Sequence, residues 1–305
     1  MSAHNNLYEA YAETSPCGLS KEEILLFAKD VAPMSDGTAK LLRLVDDPDA
    51  SIDTITDVVS KDAGLVGSML KLANSPTFAQ RGKVVTIANA LGVVGIRSLK
   101  SLVVAKMVTG LNRYLTAADR MVRDHSLGTA LLLRDLSHRL GRRDADEMFL
   151  CGMMHRLGHF VFLSDSRTRT RFMEVLARIR EQSEDYTTAE VAEIGFAHTI
   201  IGALVANRWN FPAEMSQIIL HYNDIFEGVD CDLDRKTFLV KFASAAATAA
   251  KIGVPAGYPD QLPMLQELGV PLGVLRSDSA ETDLQEIING LTTSFASESQ
   301  IWAAG

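Results

Sequence analysis

Hydrophobic side chains recur at intervals of three and four residues along most of the chain, which is the spacing of one face of an α-helix. Segments with the alternating period of a β-strand are almost absent. Side chains that accept the free N–H groups of a first helical turn predict where helices begin. These predicted caps are Ser20, Asp36, Ser51, Asp62, Thr86 and Asp144. The pattern predicts an all-α protein.

Up to about residue 115 the pattern predicts a layer of short helices. A helix after Asp36 is predicted to stop at Asp47-Pro48, because the residue before a proline leaves the helical region. The apolar run after Thr86 is predicted to form two helices, Thr86–Val94 and Ile96–Val108, broken at Gly95.

Longer helices are predicted from Asp119 onward, and the candidate chemistry lies on them. They are Asp119–Leu140, Asp144–Leu163, His198–Asn210, Pro212–Asp224 and Phe238–Ile252. Gly141 is the predicted terminating glycine of the first helix. A final amphipathic helix is predicted around Leu284 and Leu291, after a segment that contains several prolines.

The composition is that of an acidic globular protein. The chain has 305 residues, 47% of them hydrophobic, and a net charge of −8, which gives no general attraction to nucleic acid or anionic membranes. Cys17, Cys151 and Cys231 form no Cys-x-x-Cys pair, which argues against a disulfide framework or thiolate zinc site. No apolar run seen in the pattern approaches the roughly 18 to 20 residues of a membrane span, and no targeting motif is present. We therefore expect a cytoplasmic protein with no membrane partner.

Six short motifs resemble, in this order and spacing, those of the HDOD family. They are Ala32-Pro33-Met34, Leu44-Val45-Asp46-Asp47-Pro48, Leu72-Ala73-Asn74-Ser75, Ala90-Leu91-Gly92, His125-Ser126-Leu127 and Gly202-Ala203-Leu204. The resemblance covers about residues 19–252 and implies an HD-domain-like helical bundle with an additional N-terminal helical subdomain. It divides the chain into an extension (1–18), a helical subdomain (19–115), an HD-like bundle (116–252) and a C-terminal helical tail (253–305).

HDOD domains are related in fold to HD-type metal phosphohydrolases but generally lack their full ligand set, and bacterial signalling proteins often carry them. By this resemblance, the first HD histidine falls on His125, and the His-Asp pair falls on His155-Arg156. The last aspartate would fall within Lys241–Ala245, where no acid is present. Because an arginine stays protonated at physiological pH, Arg156 would repel a divalent cation. The resemblance therefore implies a degenerate metal site.

Further histidines keep a metal site open as an alternative. The extra histidines of binuclear relatives such as the HD-GYP phosphodiesterases would map near His198 and His221. Together with His125 and His155 they would offer four imidazoles to zinc, iron or nickel. The structural alternative is that His198 and His221 are caps or half-buried polar groups, and that His125 and His155 are an inherited, hydrogen-bonded core pair. No cofactor is expected beyond such a residual metal.

His155 and His159 lie four residues apart, as in a zincin motif. Arg156 replaces the glutamate base of that motif, and no third ligand is indicated. His159 is therefore interpreted as a polar residue packed beside Phe160 and Phe162.

Arg156 itself has two interpretations. In one, it forms an ion pair with Asp124 or Glu193 that replaces the lost metal electrostatically. In the other, it joins the histidines in an anion site for a phosphate-bearing ligand.

These residues favour a non-catalytic bacterial signal-transduction or regulatory protein that acts through protein–protein or ligand binding, with no catalytic residue. The candidate ligand pocket contains His125, His155, Arg156, His198 and His221. The alternative is a metal-dependent phosphohydrolase or phosphodiesterase that acts on nucleotides or cyclic dinucleotides with an atypical, histidine-rich site.

A protein partner of a bacterial signalling pathway is expected to bind the N-terminal layer and the cleft beside it. The turn Asn74-Ser75-Pro76 places Phe78 in a loop, and Lys83 follows nearby. The alternative is that Asn74 only caps its helix and Phe78 only fills the junction between the two subdomains.

Overall fold

The computed structural model describes residues 36–75, 78, 82–111 and 116–302, and every regular element within these ranges is an α-helix. The helices are α1 (Asp36–Asp46), α2 (Ile52–Val59), α3 (Ala63–Ala73), α4 (Ile87–Thr109), α5 (Ala117–Arg139), α6 (Ala145–Met154), α7 (Leu157–Ser164), α8 (Ser166–Gln182), α9 (Tyr186–Glu193), α10 (His198–Arg208), α11 (Ala213–His221), α12 (Asp232–Ala249), α13 (Leu262–Gly269) and α14 (Ala280–Trp302). The predicted all-α class is confirmed. The capping box at Ser20, the extension 1–18 and the motif at Ala32 lie outside the described residues.

Helices α1 to α4 form the N-terminal layer, and local sequence explains where they begin and end. The side chains of Ser51, Asp62 and Thr86 each accept a backbone N–H group of the following first turn, as predicted. Helix α1 ends at Asp46, next to the predicted stop at Asp47-Pro48. The layer packs on the bundle mainly through α4, which contacts α6 and α7.

Helix α4 contradicts the expectation that no apolar run reaches the length of a membrane span. Residues Ile87–Val108 are long and apolar enough to cross a bilayer, by length and composition alone. Helices α9 and α10 pass the same test only as a pair, and they meet at 87°. Gly95 has the non-helical φ of 81° and bends α4, as predicted. The buried apolar side chains of α4, such as Leu99 and Val104, belong to the core that the layer shares with the bundle.

The bundle is built around α5, which contacts α6, α12 and α14. Helix α5 begins at Ala117, slightly earlier than predicted, because Thr116 and Asp119 form a capping box. In this box the Thr116 N–H donates to the Asp119 carboxylate over 2.8 Å. Gly141 has a φ of 67° and terminates α5 as predicted.

The helix predicted over Asp144–Leu163 is in fact two helices, α6 and α7, separated at His155 and Arg156. The Asp144 carboxylate makes no cap hydrogen bond, because it accepts from the guanidinium of Arg142 instead. Beyond the break, Gly158 lies directly against the backbone of α10. This break allows α7 to pack against α10. Arg156 lies at the junction between α6 and α7.

The C-terminal segments pack on the bundle. Helix α12 begins at Asp232, earlier than the predicted Phe238, and α13 packs against it. Helix α14 confirms the predicted final helix and packs on α5, where Glu298 accepts from the Arg134 guanidinium over 2.8 Å. The ring of Trp302 lies 4.7 Å from that of Phe149 in α6. The boundaries of the domains remain predictions.

The substitution Gly158→Ala tests the close approach of α7 to α10. A Cβ atom on residue 158 would lie 2.0 Å from the carbonyl oxygen of His198, so one of the two helices must shift. We expect the free energy of unfolding, measured by urea denaturation, to fall by about 1 to 3 kcal/mol.

Gly67→Ala is the matched control, because Gly67 lies within α3 and nothing lies within 4 Å of its added Cβ atom. This variant should gain roughly 0.5 to 1 kcal/mol through the lower backbone entropy of its unfolded chain. Equal stability of the two variants would contradict the described contact.

Candidate functional site

A cavity of about 660 Å³ opens between the break that follows α6 and the helices α9 to α13. Arg156 reaches it from the break, Tyr186 and His198 from the starts of α9 and α10, and Tyr222 from the end of α11. Ser244, in the middle of α12, lines the opposite side. Segments that are distant in sequence therefore meet in one pocket.

Arg156 is the charged residue at the base of this pocket. Only 4% of its surface is exposed, and its guanidinium carbon lies 4.7 Å from the centre of the Tyr186 ring, a cation–π distance. The predicted ion pair is wrong, because Asp124 accepts from Arg123 and Glu193 accepts from Arg178. Among the described residues, the Nε and Nη1 atoms of Arg156 have no hydrogen-bond partner.

His125 and His155 lie together behind the pocket, with ring centres 5.5 Å apart. The Nδ1 atom of His125 donates to the carbonyl oxygen of Ile252, and its Nε2 atom lies 3.0 Å from the Ser244 hydroxyl, from which it accepts. The Nδ1 atom of His155 donates to the Gly152 carbonyl oxygen over 2.6 Å. Burial, followed by the charge of Arg156, holds the pKa of both histidines well below the ordinary value. Both rings are therefore neutral at physiological pH.

The positions that the family resemblance assigns to the HD metal ligands thus come together, but their chemistry does not fit a divalent cation. They contribute two neutral imidazoles, the Ser244 hydroxyl and the Arg156 guanidinium, without a carboxylate. Both nitrogens of His125 are already engaged in hydrogen bonds. The buried cation of Arg156 would also repel a metal ion.

His221 does not join the other histidines. Its side chain is 47% exposed at the end of α11, where its Nδ1 atom lies 2.7 Å from the Asp224 carboxylate. His125, His155 and His198 are fully buried. The predicted convergence of four histidines therefore does not occur, because Tyr222 and not His221 points into the bundle.

A second buried cluster, which the sequence pattern did not predict, consists of His159, Glu190 and His198. One Glu190 oxygen lies 2.5 Å from His159 Nε2, and the other lies 2.8 Å from His198 Nδ1. The two imidazole rings are inclined at 37° to each other, with centres 3.9 Å apart. His159 also contacts Phe162, as predicted, and it contacts Phe172 as well. The available signal was a glutamate among apolar residues of a short helix eight residues before His198.

The electrostatics of this cluster place one negative charge in the core. Burial by itself would raise the pKa of Glu190, but its interactions with His198 and His159, which donate hydrogen bonds to it, hold the pKa at about 2. Burial lowers the pKa of His159 to about 3, and the neighbouring His198 adds to this effect. Glu190 is thus an anion that accepts from two imidazoles, and His159 is neutral.

The ligand atoms of His159, Glu190 and His198 all lie within 4.8 Å of one another, so this group has the donors and the spacing of a metal site. It is also largely satisfied without one, because His198 Nε2 accepts from the Tyr222 hydroxyl over 2.5 Å and Glu190 is bonded on both oxygens. Of the nitrogen and oxygen atoms in these three side chains, all of them in the described part of the chain, only His159 Nδ1 has no hydrogen-bond partner.

Tyr222 connects the two parts of the site. Its ring packs edge-on against His155 with centres 5.1 Å apart, and its hydroxyl bonds His198. The pocket at Arg156 is therefore joined to the Glu190 cluster through one side chain.

Comparison with known proteins gives a family and a fold. The HDOD domain matches residues 31–225 of the chain. An uncharacterised protein of Treponema pallidum is 27% identical over 203 residues, which are 64% of this chain but only 38% of that protein. The chain thus spans well under half the length of this relative.

Solved structures support the same fold. An HDOD domain protein of unknown function from Geobacter sulfurreducens is 24% identical, with a TM-score of 0.70 over 93% of this chain and 97% of that one. A candidate phosphohydrolase from Shewanella amazonensis is 20% identical, with a TM-score of 0.68 over 92% and 97%. A candidate signal transduction protein from Marinobacter aquaeolei is 18% identical, with a TM-score of 0.66 over 90% and 60%. At these identities the likeness shows the fold alone.

Glu190→Ala tests the importance of the buried anion. The substitution leaves His159 and His198 without their shared acceptor, and hydrogen bonds to a charged group are each worth roughly 1.5 to 3 kcal/mol. We expect a loss of about 3 kcal/mol or more in the free energy of unfolding. Glu193→Ala, at the end of the same helix and in a partly exposed pair with Arg178, is the matched control and should lose about 1 kcal/mol or less. Equal losses would contradict the described cluster.

Acidification should destabilise the protein before its ordinary carboxylates are protonated. The pKa of His159 falls from 6.5 to about 3 on folding, so the unfolded chain binds a proton that the folded protein does not. The stability that neutral, buried His159 contributes is fully present above pH 6.5. As the pH falls from 6.5 towards 3, the free energy of unfolding decreases by up to about 1.4 kcal/mol per pH unit. Denaturant unfolding between pH 7 and pH 5 measures it. His159→Gln should make the free energy of unfolding depend less steeply on pH. His138→Gln, at an exposed position, is the control. An unchanged pH dependence in His159→Gln would refute the low pKa of His159.

Proposed function

We propose that this chain, which belongs to the HDOD family, is a non-catalytic regulatory protein of bacterial signal transduction that acts by binding a protein partner or a small ligand. The observation that carries the proposal is the buried guanidinium of Arg156 at the position of the HD aspartate, beside two neutral histidines. Hydrolysis of a phosphate ester by a metal centre needs an ion that polarises the ester and activates water. This position supplies a protein cation in place of such an ion.

The second candidate is a metal-dependent phosphohydrolase or phosphodiesterase acting on nucleotides or cyclic dinucleotides. The observation that favours it is the group of His159, Glu190 and His198, which offers two imidazoles and a carboxylate to a transition metal such as zinc, iron or nickel. If bound there, such a metal would supply Lewis acidity. We rank this candidate second because the three side chains are buried and already hydrogen-bonded to one another.

For the partner surface we propose the exposed side of the loop that follows α3. The Asn74 amide donates to the Leu70 and Val84 carbonyl oxygens and accepts from the Val84 N–H, so Asn74 ties the end of α3 to Val84. Lys83 is exposed beside it, whereas Phe78 is half-buried against the core. Of the two predicted partner residues, Lys83 is therefore the one available for contact, and Phe78 supports the loop.

A cleft between α1 and the loop before α11 offers a second contact surface. It encloses about 730 Å³ and is lined by Arg43, Lys100 and Trp209 among others. It shares no lining residue with the Arg156 pocket, so we assign it to protein contact. With a net charge of −8, we propose a cytoplasmic protein without general affinity for nucleic acid or membranes.

The proposal predicts no hydrolysis of phosphomonoesters, cyclic dinucleotides or other phosphodiesters when manganese or iron is supplied. Product release should stay at the level of a blank without protein. Turnover that His155→Ala abolishes would overturn the proposal and indicate catalysis at His125 and His155. Turnover that survives His155→Ala but is lost in His159→Gln would instead establish the second candidate.

Restoring the two missing carboxylates should create metal affinity. The double variant Arg156→Asp with Ser244→Asp removes the cation and adds two acids to a site that already holds His125 and His155, so manganese should bind more tightly in calorimetric titration. Arg180→Asp with Ser294→Asp, at exposed positions, is the matched control for the change of charge. Equal manganese affinity in both double variants would show that Arg156 and Ser244 do not account for the missing metal affinity.

Substitutions in the loop after α3 should reduce partner recovery from the native host. Lys83→Glu reverses an exposed charge and should lower recovery in a pull-down without changing the melting temperature, whereas Phe78→Ala should also lower the melting temperature because it removes core contacts. Exposed Lys61→Glu is the matched control. Unchanged recovery with Lys83→Glu would exclude this loop as the partner surface.

A further inference from the structure

The pocket above Arg156 holds several buried hydrogen-bond donors without acceptors. Within the described part of the chain, Arg156 Nε, Arg156 Nη1 and the Tyr186 hydroxyl are buried and make no hydrogen bond of good geometry. Burial raises the pKa of the Tyr186 and Tyr222 hydroxyls, and the nearby Arg156 guanidinium opposes this rise, but neither hydroxyl can neutralise its charge. Arg156 and Tyr186 line the same cavity. Because buried polar groups in folded proteins are nearly always hydrogen-bonded, these donors indicate an acceptor that enters the cavity from outside.

The charge of the pocket selects the kind of acceptor. No carboxylate among the described residues pairs with Arg156, since the buried Glu190 is engaged by His159 and His198. Asp185 lines the cavity, but its oxygens accept from the N–H and the hydroxyl of Thr188. A desolvated guanidinium without a counter-ion favours an anion over a neutral acceptor, and phosphate oxygens match its donors.

The walls of the pocket select the rest of the ligand. Tyr186, Tyr222 and Tyr258 all line the cavity, with the rings of Tyr186 and Tyr258 5.3 Å apart. At the rim, Ile225 is 82% exposed, which is unusual for a large apolar side chain beside a pocket. Aromatic and apolar walls of this kind fit a planar ring, and a volume of about 660 Å³ is within the range of pockets for small molecules.

Lys241 adds a second cation near the mouth. It lines the cavity and donates to the backbone carbonyl oxygens of Asn223 and Asp224, so its charge faces no side-chain carboxylate in a hydrogen bond. An anionic ligand in this cavity would therefore meet two cations, Arg156 and Lys241. It would also meet the Asp185 carboxylate in the wall, and the Asp224 and Glu267 carboxylates lie near Lys241.

We propose that this pocket binds a phosphate-bearing small molecule with a planar ring, of the size of a nucleoside monophosphate. Its phosphate accepts hydrogen bonds from Arg156 and Tyr186, and its ring lies between Tyr258 and Ile225. The inference rests on the proposed function in one respect, namely that Arg156 occupies this position in place of a metal. It names the ligand class of the regulatory site, whose signal would pass through Tyr222 to His198 and Glu190.

Calorimetric titration of the full chain tests the proposal with four probes: inorganic phosphate, adenosine 5′-monophosphate, guanosine 5′-monophosphate and adenosine. We expect the monophosphates to bind more tightly than inorganic phosphate, and adenosine to bind much more weakly than either nucleotide. Absence of binding by all probes would overturn the proposal and assign the free donors to water. Equal affinity for inorganic phosphate and the nucleotides would overturn the assignment of a ring.

Two variants locate the binding. Arg156→Met keeps the length of the side chain but removes its charge and donors, and it should weaken nucleotide binding about ten- to a hundred-fold. Tyr186→Phe removes one hydroxyl without changing the ring and should weaken binding by several-fold. Arg139→Met, at an exposed position on α5, is the matched control for the loss of an arginine and should bind as the unmodified protein does. Thermal melting establishes that each variant is folded.

Unchanged binding in folded Arg156→Met, or in Tyr186→Phe if Arg156→Met does not fold, would overturn the proposal. The result is distinguishable from failure of the proposed function. Hydrolysis of a bound nucleotide would refute the non-catalytic role while leaving the binding site in place. Lack of binding without hydrolysis would refute the ligand site while leaving the non-catalytic role intact.

Discussion

The buried positive charge of Arg156 is the constraint on which the interior of the bundle depends. A guanidinium that is 96% withdrawn from water is costly unless its surroundings compensate. Here the compensation comes from the face of Tyr186 and from the neutrality of His125 and His155, whose protonation the arginine itself opposes. Of the described residues that surround it, Glu190 carries a charge at the same depth, and His159 and His198 both donate to it. Arg156 and Glu190 thus place charges of opposite sign in an interior lined with aromatic and imidazole rings.

Contacts between helices hold the fold around this core. Helix α5 is fixed by its capping box and by contacts with α6 and α12, and α7 is fixed by the close approach of Gly158 to α10. These contacts bring His125, His155 and Ser244 together even though the carboxylates of an HD centre are missing. A scaffold held by such contacts presents a preformed pocket, which is what a binding protein requires.

Features governed by local chemistry were predictable from the sequence, whereas features governed by distant contacts were not. Ser51 and Asp62 begin helices through hydrogen bonds within one turn, and Gly95 bends α4 through its own backbone. The helices α6 and α7 are separated at His155 and Arg156, and α7 packs against the backbone of α10. The hydrophobic periodicity of α6 and α7 does not reveal this contact with a distant helix. Glu190 was missed for the same reason, since its partner His159 lies on another helix. The family resemblance, and not the hydrophobic pattern, predicted that His125 and His155 share one site. The same resemblance was wrong for His221, whose side chain is exposed to solvent at the end of α11.

We propose that Arg156 takes the place of the metal. Anomalous diffraction from crystals of the unmodified protein grown with manganese tests this substitution. We expect no anomalous peak in the space enclosed by His125, His155 and Ser244, with the Arg156 guanidinium in that region. A peak coordinated by His125 and His155, with Arg156 displaced into solvent, would contradict it.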